Sequence, residues 1–419
     1  MKILVFNAGS SSLKYKLFDS EGMVHGAWGR REPDLEVLSE GKVENIGQEN
    51  AHLINKNHLG QVFRTVAAPE YMDALNLVFK VLTDEPGAPL KSLDEVDAVG
   101  HRVAHAGDAF NCSQRIDGHV VDVIDQYAHL APLHNPYALG VIKRCQELFP
   151  KALEVAAFDT AFHQTMPRRN YIYPIPYRYY EKYNIRRYGF HGISHKYVSR
   201  HAADFLGEDL RCLKMITCHL GAGASIAALD HGYSMDTSMG YTPLDGVMMN
   251  TRSGSVDPAI ITAIMELEGL APQQMDEILN RESGMLGISG VSGDLRDLKE
   301  VIREGSSQCE LAYDIFLTSI RRVIGGYAFE LAGIDALVIT AGVGENDSYA
   351  RRLILRGLEP FGIEVDESRN DAPDNVERLI STDRSTVKVL VIPTDEEAEI
   401  ARDVSFIANG VDISDPWAY

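Results

Sequence analysis

An apolar run, Ile3 to Phe6, opens the chain and is broken by Asn7, Gly9 and three serines, after which Leu13, Tyr15 and Leu17 alternate with Lys14 and Lys16. A continuous apolar run followed by period-two alternation predicts strand, tight polar turn, strand. Gly9 permits a close backbone approach, and Asn7, Ser10, Ser11 and Ser12 offer an amide, hydroxyls and clustered N–H groups of the kind that cradle an anion. The plan recurs at residues 212–232, where CLKMITCHL runs into the turn GAGAS and an alternating strand that ends in an acidic turn. One such hairpin per half predicts an internal duplication, with two phosphate-holding loops on opposite walls of a cleft.

Between and after the hairpins the pattern alternates strand and helix. Met72, Leu75, Leu77, Val78 and Val81 fall at helical spacing, and residues 97–107 read as a strand entering a loop with Arg102 at its exit. Helices are expected over 120–130 and 137–148, on either side of the Pro-bounded turn APLHNP, and Asp159 ends a short apolar run, where α/β proteins place reactive groups. YGFHGISH at 188–195 is a loop opening a helix, 335–347 an apolar strand ending in a Gly-rich turn, and 387–404 a strand leading through a Pro-bounded turn into a helix. Only residues 20–70 are weakly patterned, Gly22, Gly26, Gly41 and Gly47 marking short strands and turns. The expectation is a two-domain α/β protein: residues 1–150, residues 151–394, and a last helix within 395–419 that returns to the first domain.

Composition narrows the chemistry. With 419 residues, 45% of them hydrophobic, there is material for two cores. Forty basic against 60 acidic residues, net −20, argue against a nucleic-acid partner, so anionic substrates need locally placed cations. No apolar run approaches the roughly 20 residues of a membrane span, and the run before Asn7 is too short for a signal-peptide core, so no membrane partner is expected and cytoplasm is the expected location. Five scattered cysteines without CxxC spacing fit reduced thiols. GxxxxGK[ST] is absent, and neither GAGASI nor GVGEND completes GxGxxG, which leaves hairpin turns to bind phosphate.

Nine strings, NAGSSSLKYKLFD, GHRVAHAG, APLHNP, FDTAFHQTMP, YGFHGISHKYV, HLGAGAS, DTSMGYTPLDGVMMNTRSGSVDP, TAGVGEN and IPTDEEAEIARD, stand in the order found in the acetokinase family, which includes acetate and propionate kinases. The resemblance covers residues 1 to about 405 and leaves only the last dozen, ending Asp415-Pro416-Trp417, without a counterpart. It implies two duplicated ribonuclease H-like domains, as in the superfamily of acetate and sugar kinases, Hsp70 and actin. It also implies a homodimer that moves a phosphoryl group reversibly between ATP and acetate with Mg²⁺ as cofactor, by direct in-line transfer. Propionate kinase and a pyrophosphate-dependent acetate kinase are the alternatives within the family. A chaperone-like ATPase would need an appended peptide-binding domain, and a sugar kinase would lack paired arginines suited to a carboxylate.

Phosphoryl transfer to a carboxylate brings two anions together and must hold charge on three equatorial oxygens, work suited to cations and a metal. By the resemblance, Arg102 and Arg252 hold the carboxylate and the transferring phosphoryl group, His191 stabilises the transition state and His134 supports it. Asp159, Glu396 and Asn7 match positions that place Mg²⁺. Asn7, Ser10, Ser12 and Lys14 match the first phosphate hairpin, and His219, Gly221, Ala222 and Gly223 the second. Read by itself, His219, like His163 and His195, is a packing or hydrogen-bonding residue. Asp294, Arg296, Gly342, Gly344, Glu345 and Asn346 match the nucleotide side, while Ala104, Leu133, Phe190 and Pro243 match the acyl pocket. Asp257 and Pro258 are expected to cap a helix.

Four positions depart from the commonest family pattern. Ala222 replaces an Asn and removes an amide donor, a loss worth on the order of 1.5–3 kcal/mol toward a charged acceptor. Asn250 stands in place of Gly and is expected to return an amide to the site; Asp395 replaces Asn and is expected to add negative charge near the metal. Ala104 is Val in most acetate kinases and Ala in propionate kinases, which leaves room for one more substrate carbon.

Overall fold

The computed structural model describes residues 1–25, 31–373 and 376–414, so the turn glycine Gly26 and the tail from Asp415 lie outside the described residues. Its chain divides into two compact units, Met1–Gln164 joined by everything from Asp395 onward, and Thr165–Thr394.

In the first unit, strands β1 (Lys2–Ala8), β2 (Ser12–His25), β3 (Arg31–Glu44), β4 (His52–Asn57), β5 (Gly60–Thr65), β6 (Ala98–Val103), β7 (Gln114–Arg115) and β8 (Leu153–Phe158) form one sheet in the order β5-β4-β3-β2-β1-β6-β8-β7. Strand β1 lies inside that sheet, antiparallel to β2 and parallel to β6, and Ile3, Leu4, Val5 and Phe6 are all buried, which is why its apolar run is continuous. On β2 the alternation is kept, with Leu13, Tyr15 and Leu17 buried and Lys14 exposed. Of the weakly patterned residues 20–70, those described contribute to the long antiparallel ribbons β2 to β5. The helix Glu396–Ala408 packs on this sheet, and Gly100 makes room for it: a Cβ there would lie 2.6 Å from Ile400 Cγ2. The boundary expected at residue 150 is corrected, because β8 pairs in parallel with β6 and keeps residues 151–164 in the first unit.

The second unit carries β9 (Lys214–Leu220), β10 (Ala224–Asp230), β11 (Tyr233–Thr237), β12 (Ala336–Thr340), β13 (Arg378–Leu379) and β14 (Lys388–Val391), ordered β11-β10-β9-β12-β14-β13. Two antiparallel pairings followed by two parallel ones, β11-β10-β9-β12-β14, repeat the order and directions of β3-β2-β1-β6-β8. The duplication expected from the two hairpins is therefore present in sheet topology. The helix Ser307–Glu330 covers the sheet, its Phe316, Ile320 and Ile324 joining Ile216, Ile226 and Leu337 in the core. Another helix, Pro258–Glu268, behaves differently: PAIITAIMELE is apolar on nearly every side, yet none of its residues is buried. Asp257 caps it by accepting the Ala259 N–H at 2.9 Å. Among the described residues no helix is long and apolar enough to cross a membrane.

Candidate active site

In the first unit the site is built on three neighbouring chain ends. Arg102 and Asn7 sit opposite one another in the β1–β6 ladder, and Asp159 follows the end of β8. The Arg102 guanidinium is held on all three nitrogens: Nε donates to Asp159 Oδ1 at 3.0 Å, Nη2 to Asp159 Oδ2 at 2.6 Å and Nη1 to Asn7 Oδ1 at 3.0 Å. Glu396 Oε2 lies 3.7 Å from Nε. Burial works to lower the Arg102 pKa, but the charges of Asp159 and then Glu396 outweigh it, so the cation is held above its ordinary value. Asn7 Nδ2 in turn donates to Glu396 at 3.4 Å and Glu397 at 3.2 Å, tying the first turn of the helix Glu396–Ala408 to β1. The hairpin turn closes with Gly9 N–H on the Ser12 carbonyl at 2.9 Å, Ser10 and Ser11 exposed, and Lys14 exposed on the strand that follows.

The acyl-pocket candidates of this unit gather around a residue that spacing does not reveal. Asn135 is fully buried; its Oδ1 accepts the His105 N–H, and its Nδ2 donates to the carbonyls of His105 and Ile124 at 2.8 and 3.0 Å. That amide pins the loop after buried Ala104 to the turn carrying exposed Leu133 and His134, whose carbonyl accepts the Ala138 N–H. Asn inside APLHNP reads as an ordinary turn residue, and only the partners show its role.

In the second unit His191 ends the loop after Tyr188 with a left-handed backbone, φ 55° and ψ 24°, and caps the helix Gly192–Leu206. Its Nδ1 is 2.9 Å from Ser225 Oγ, and Ser225 is 2.8 Å from His195 Nε2, whose Nδ1 reaches Thr217 Oγ1 at 2.7 Å. His219 stacks on His191 at 4.2 Å and meets Ser194, which also meets Thr394. His195 and His219 are thus hydrogen-bonded framework around His191, and His163 is fully buried. The turn Gly221–Gly223 closes on itself by a 3.2 Å bond. A Cβ on Gly223 would lie 3.4 Å from both Arg252 Nη1 and His191 Cε1, so the second hairpin, the second arginine and the histidine converge on one spot. Arg252 has no carboxylate: among the described residues its contacts are the Pro243 carbonyl at 3.3 Å and Met249 Sδ at 3.7 Å, both from Nη1, and burial pulls its pKa down.

The remaining nucleotide candidates are placed as follows. Gly342, Gly344, Glu345 and Asn346 belong to a short helix, Ala341–Asn346, where an open turn was expected. Glu345 Oε1 accepts the Ala341 N–H, the Thr394 N–H and the Thr340 hydroxyl, and Asn346 Nδ2 returns to the Gly342 carbonyl, so both side chains stabilise the motif itself. Buried Arg351 seals it by donating to the Gly344 and Glu345 carbonyls. Asp294 caps the helix Leu295–Arg303 and pairs with the exposed Arg296.

Residues 2–402 match the model of the acetokinase family. The chain belongs to that family. It is 48% identical over 98% of its length to an acetate kinase of Caldanaerobacter subterraneus, all of whose length is covered, and 47% identical to one of Thermotoga maritima at the same coverages. The crystal structure of Porphyromonas gingivalis acetate kinase superposes with a TM-score of 0.88 at 41% identity, covering 97% of this chain and 99% of that one. A propionate kinase from Francisella tularensis gives 0.85 at 38%, with 96% and 98% covered.

Within this acetokinase-family chain one departure, Asp395, acquires side-chain partners, and another, Asn250, does not among the described residues. Asp395 does not stand bare beside the metal candidates: it caps the helix Glu396–Ala408 by accepting the Ala398 N–H and takes the Lys16 ammonium at 2.7 Å, which Glu40 shares at 3.1 Å. Asn250 gives its main-chain carbonyl to the Leu286 N–H, and its side-chain amide has no hydrogen bond among the described residues. Ala222 is exposed at the tip of its turn.

Proposed function

We propose that this acetokinase-family enzyme moves the terminal phosphoryl group of ATP onto a carboxylate oxygen of acetate, reversibly, giving acetyl phosphate and ADP, and that it also accepts propionate. The observation that carries the reading is the convergence of Arg252, His191 and the Gly223 turn. An unpaired guanidinium, an imidazole and a hairpin whose glycine lets them approach form a receptor for a phosphoryl group whose charge lies on its equatorial oxygens. Arg102, with its planar fork, takes the substrate carboxylate, while Ala104, Leu133, Phe190 and Pro243 receive its alkyl end. His134 supports the carboxylate side, and Ser10, Ser12, Lys14, Gly221 and Gly342 serve the nucleotide.

The donors around Arg102 fit Mg²⁺, being hard oxygens from Asp159, Glu396 and Asn7 rather than thiols or imidazoles. Bound there, Mg²⁺ would offset the negative charge of the nucleotide's phosphates. Among the described residues no three His, Cys, Asp or Glu side chains form a ready cage, which suits an ion that takes one or two carboxylates and completes its shell with water and substrate.

The apolar, unburied helix Pro258–Glu268 supports a homodimer, its Ile260 and Leu267 facing outward at 48% and 84% exposure. Five cysteines without disulfides suit a cytoplasmic enzyme. Trapping of acyl phosphate as hydroxamate, with acetate, propionate and butyrate each run against ATP and pyrophosphate, tests donor and acceptor together. Turnover with acetate and ATP is expected, and no turnover with any pair overturns the reading.

A further inference from the structure

Arg187, in the loop before the helix Gly192–Leu206, lies outside every motif role assigned above, yet all three nitrogens of its guanidinium face a partner. Its Nη1 donates to three successive carbonyls, Thr237 at 2.7 Å, Ser238 at 3.0 Å and Met239 at 3.1 Å. Asp236 stands 3.7 Å from Nε and Asp245 3.5 Å from Nη2, so the fork is gripped from both ends of one loop. The same loop is tied to the Arg187 segment by the Tyr188 and Gly189 N–H groups, both donating to the Gly240 carbonyl. The Tyr241 N–H donates to Tyr173 Oη at 3.0 Å, and a Cβ on Gly240 would lie 2.2 Å from that oxygen, so the path of the loop is tightly enclosed.

What hangs on the loop makes the clamp functional. Pro243 is on it, and the Pro243 carbonyl accepts Arg252 Nη1. Further along the Arg187 segment, three and four residues on, are buried Phe190 and half-buried His191, so one guanidinium ties together both segments of the candidate pocket. Two N–H groups of one charged nitrogen shared among three consecutive carbonyls hold that stretch of backbone around a single point, a tighter constraint than packing alone.

We propose that Arg187 is a positioning residue for catalysis: it sets the 237–245 loop so that Pro243 bounds the alkyl end of the substrate and Arg252 is aimed at the transferring phosphoryl group. The inference rests on the acetate kinase reading and deepens it. A misplacement near 1 Å of a group that must meet the transition state costs about a hundredfold in rate.

The test compares wild type, Arg187→Lys, Arg187→Gln and Tyr173→Phe in hydroxamate assays with acetate and propionate, together with KM for ATP and thermal unfolding. Lysine keeps the charge but cannot make the fork, so kcat/KM for acetate is expected to fall about a hundredfold in both Arg187 variants. The propionate-to-acetate ratio should shift by about tenfold, and KM for ATP should change far less than KM for acetate. Tyr173→Phe, which removes the oxygen that accepts the Tyr241 N–H but keeps the ring against Arg187, is expected to move the ratio in the same direction by less. If the variants stay folded with the ratio unchanged, or lose both acids and ATP in equal proportion, the clamp is overturned while the function stands. If the Arg187 variants do not fold, Tyr173→Phe decides by the same ratio. A wild type that phosphorylates neither acid overturns the function and the clamp with it.

Discussion

The two arginines that resemblance treats as a pair are electrostatic opposites. Arg102, in the first unit, spends every nitrogen on Asp159 and Asn7 with Glu396 close behind, so its charge is already balanced. Arg252, in the second, is partly buried with a carbonyl and a thioether for company. A compensated cation organises carboxylates and contributes to folding; an uncompensated one costs stability and offers its full charge to an arriving anion. The lesson is that two residues proposed for one reaction need not weigh equally in the fold.

Replacing each arginine by methionine gives the largest and most direct contrast. Turnover should fall by about a thousandfold or more in both. Urea unfolding should separate them: Arg102→Met loses about 3–5 kcal/mol, because Asp159 and its neighbours are left as uncompensated charge, while Arg252→Met changes by less than about 1 kcal/mol or gains. Equal losses of stability would break the comparison.

Next come the two alanines, one in each unit. Ala104→Val should shift kcat/KM toward acetate over propionate by about ten- to a hundredfold, the worth of a methylene in an apolar pocket, leaving KM for ATP alone. Ala222→Asn should do the converse, lowering KM for ATP by about tenfold with the acid ratio unchanged. A cross-effect in either variant would show that the division of labour is not clean.

The smallest effect concerns pH. Burial, opposed by Arg187, pushes the Asp236 carboxyl up to about 6. The folded protein therefore binds this proton more tightly than the unfolded chain, so the stabilising contribution is full below the ordinary pKa of about 3.8 and is lost as pH rises through about 6. Melting curves of Asp236→Asn against wild type should show the variant gaining relative stability from pH 4 to pH 7. A difference independent of pH would mean that the Arg187 contact balances burial.

Much of this was legible without coordinates, and the failures are physical in kind. β1, β2, β9 and β10 were readable because strand period and turn chemistry are local, and their recurrence exposed the duplication before any pairing was seen. The boundary at 150 failed because β8 joins its sheet by pairing with β6, some fifty residues away, a choice that no local pattern encodes. Asp395 was misread as extra charge beside a metal because its partner Lys16 is 379 residues distant. Asn135, Arg187 and Arg351 act by donating to backbone carbonyls, and carbonyls leave no mark on side-chain patterns. Glu345 sits in a recognisable motif, yet its carboxylate faces inward, which a motif string does not state.

The left-handed backbone at His191 bears on how the imidazole can be interrogated. Alanine placed at φ 55° would carry a conformational penalty of its own, so a slow His191→Ala enzyme would confound a missing ring with a displaced peptide. Asparagine is at home in that region of backbone space and keeps a short polar side chain, which makes it the replacement whose kinetics report on the ring itself.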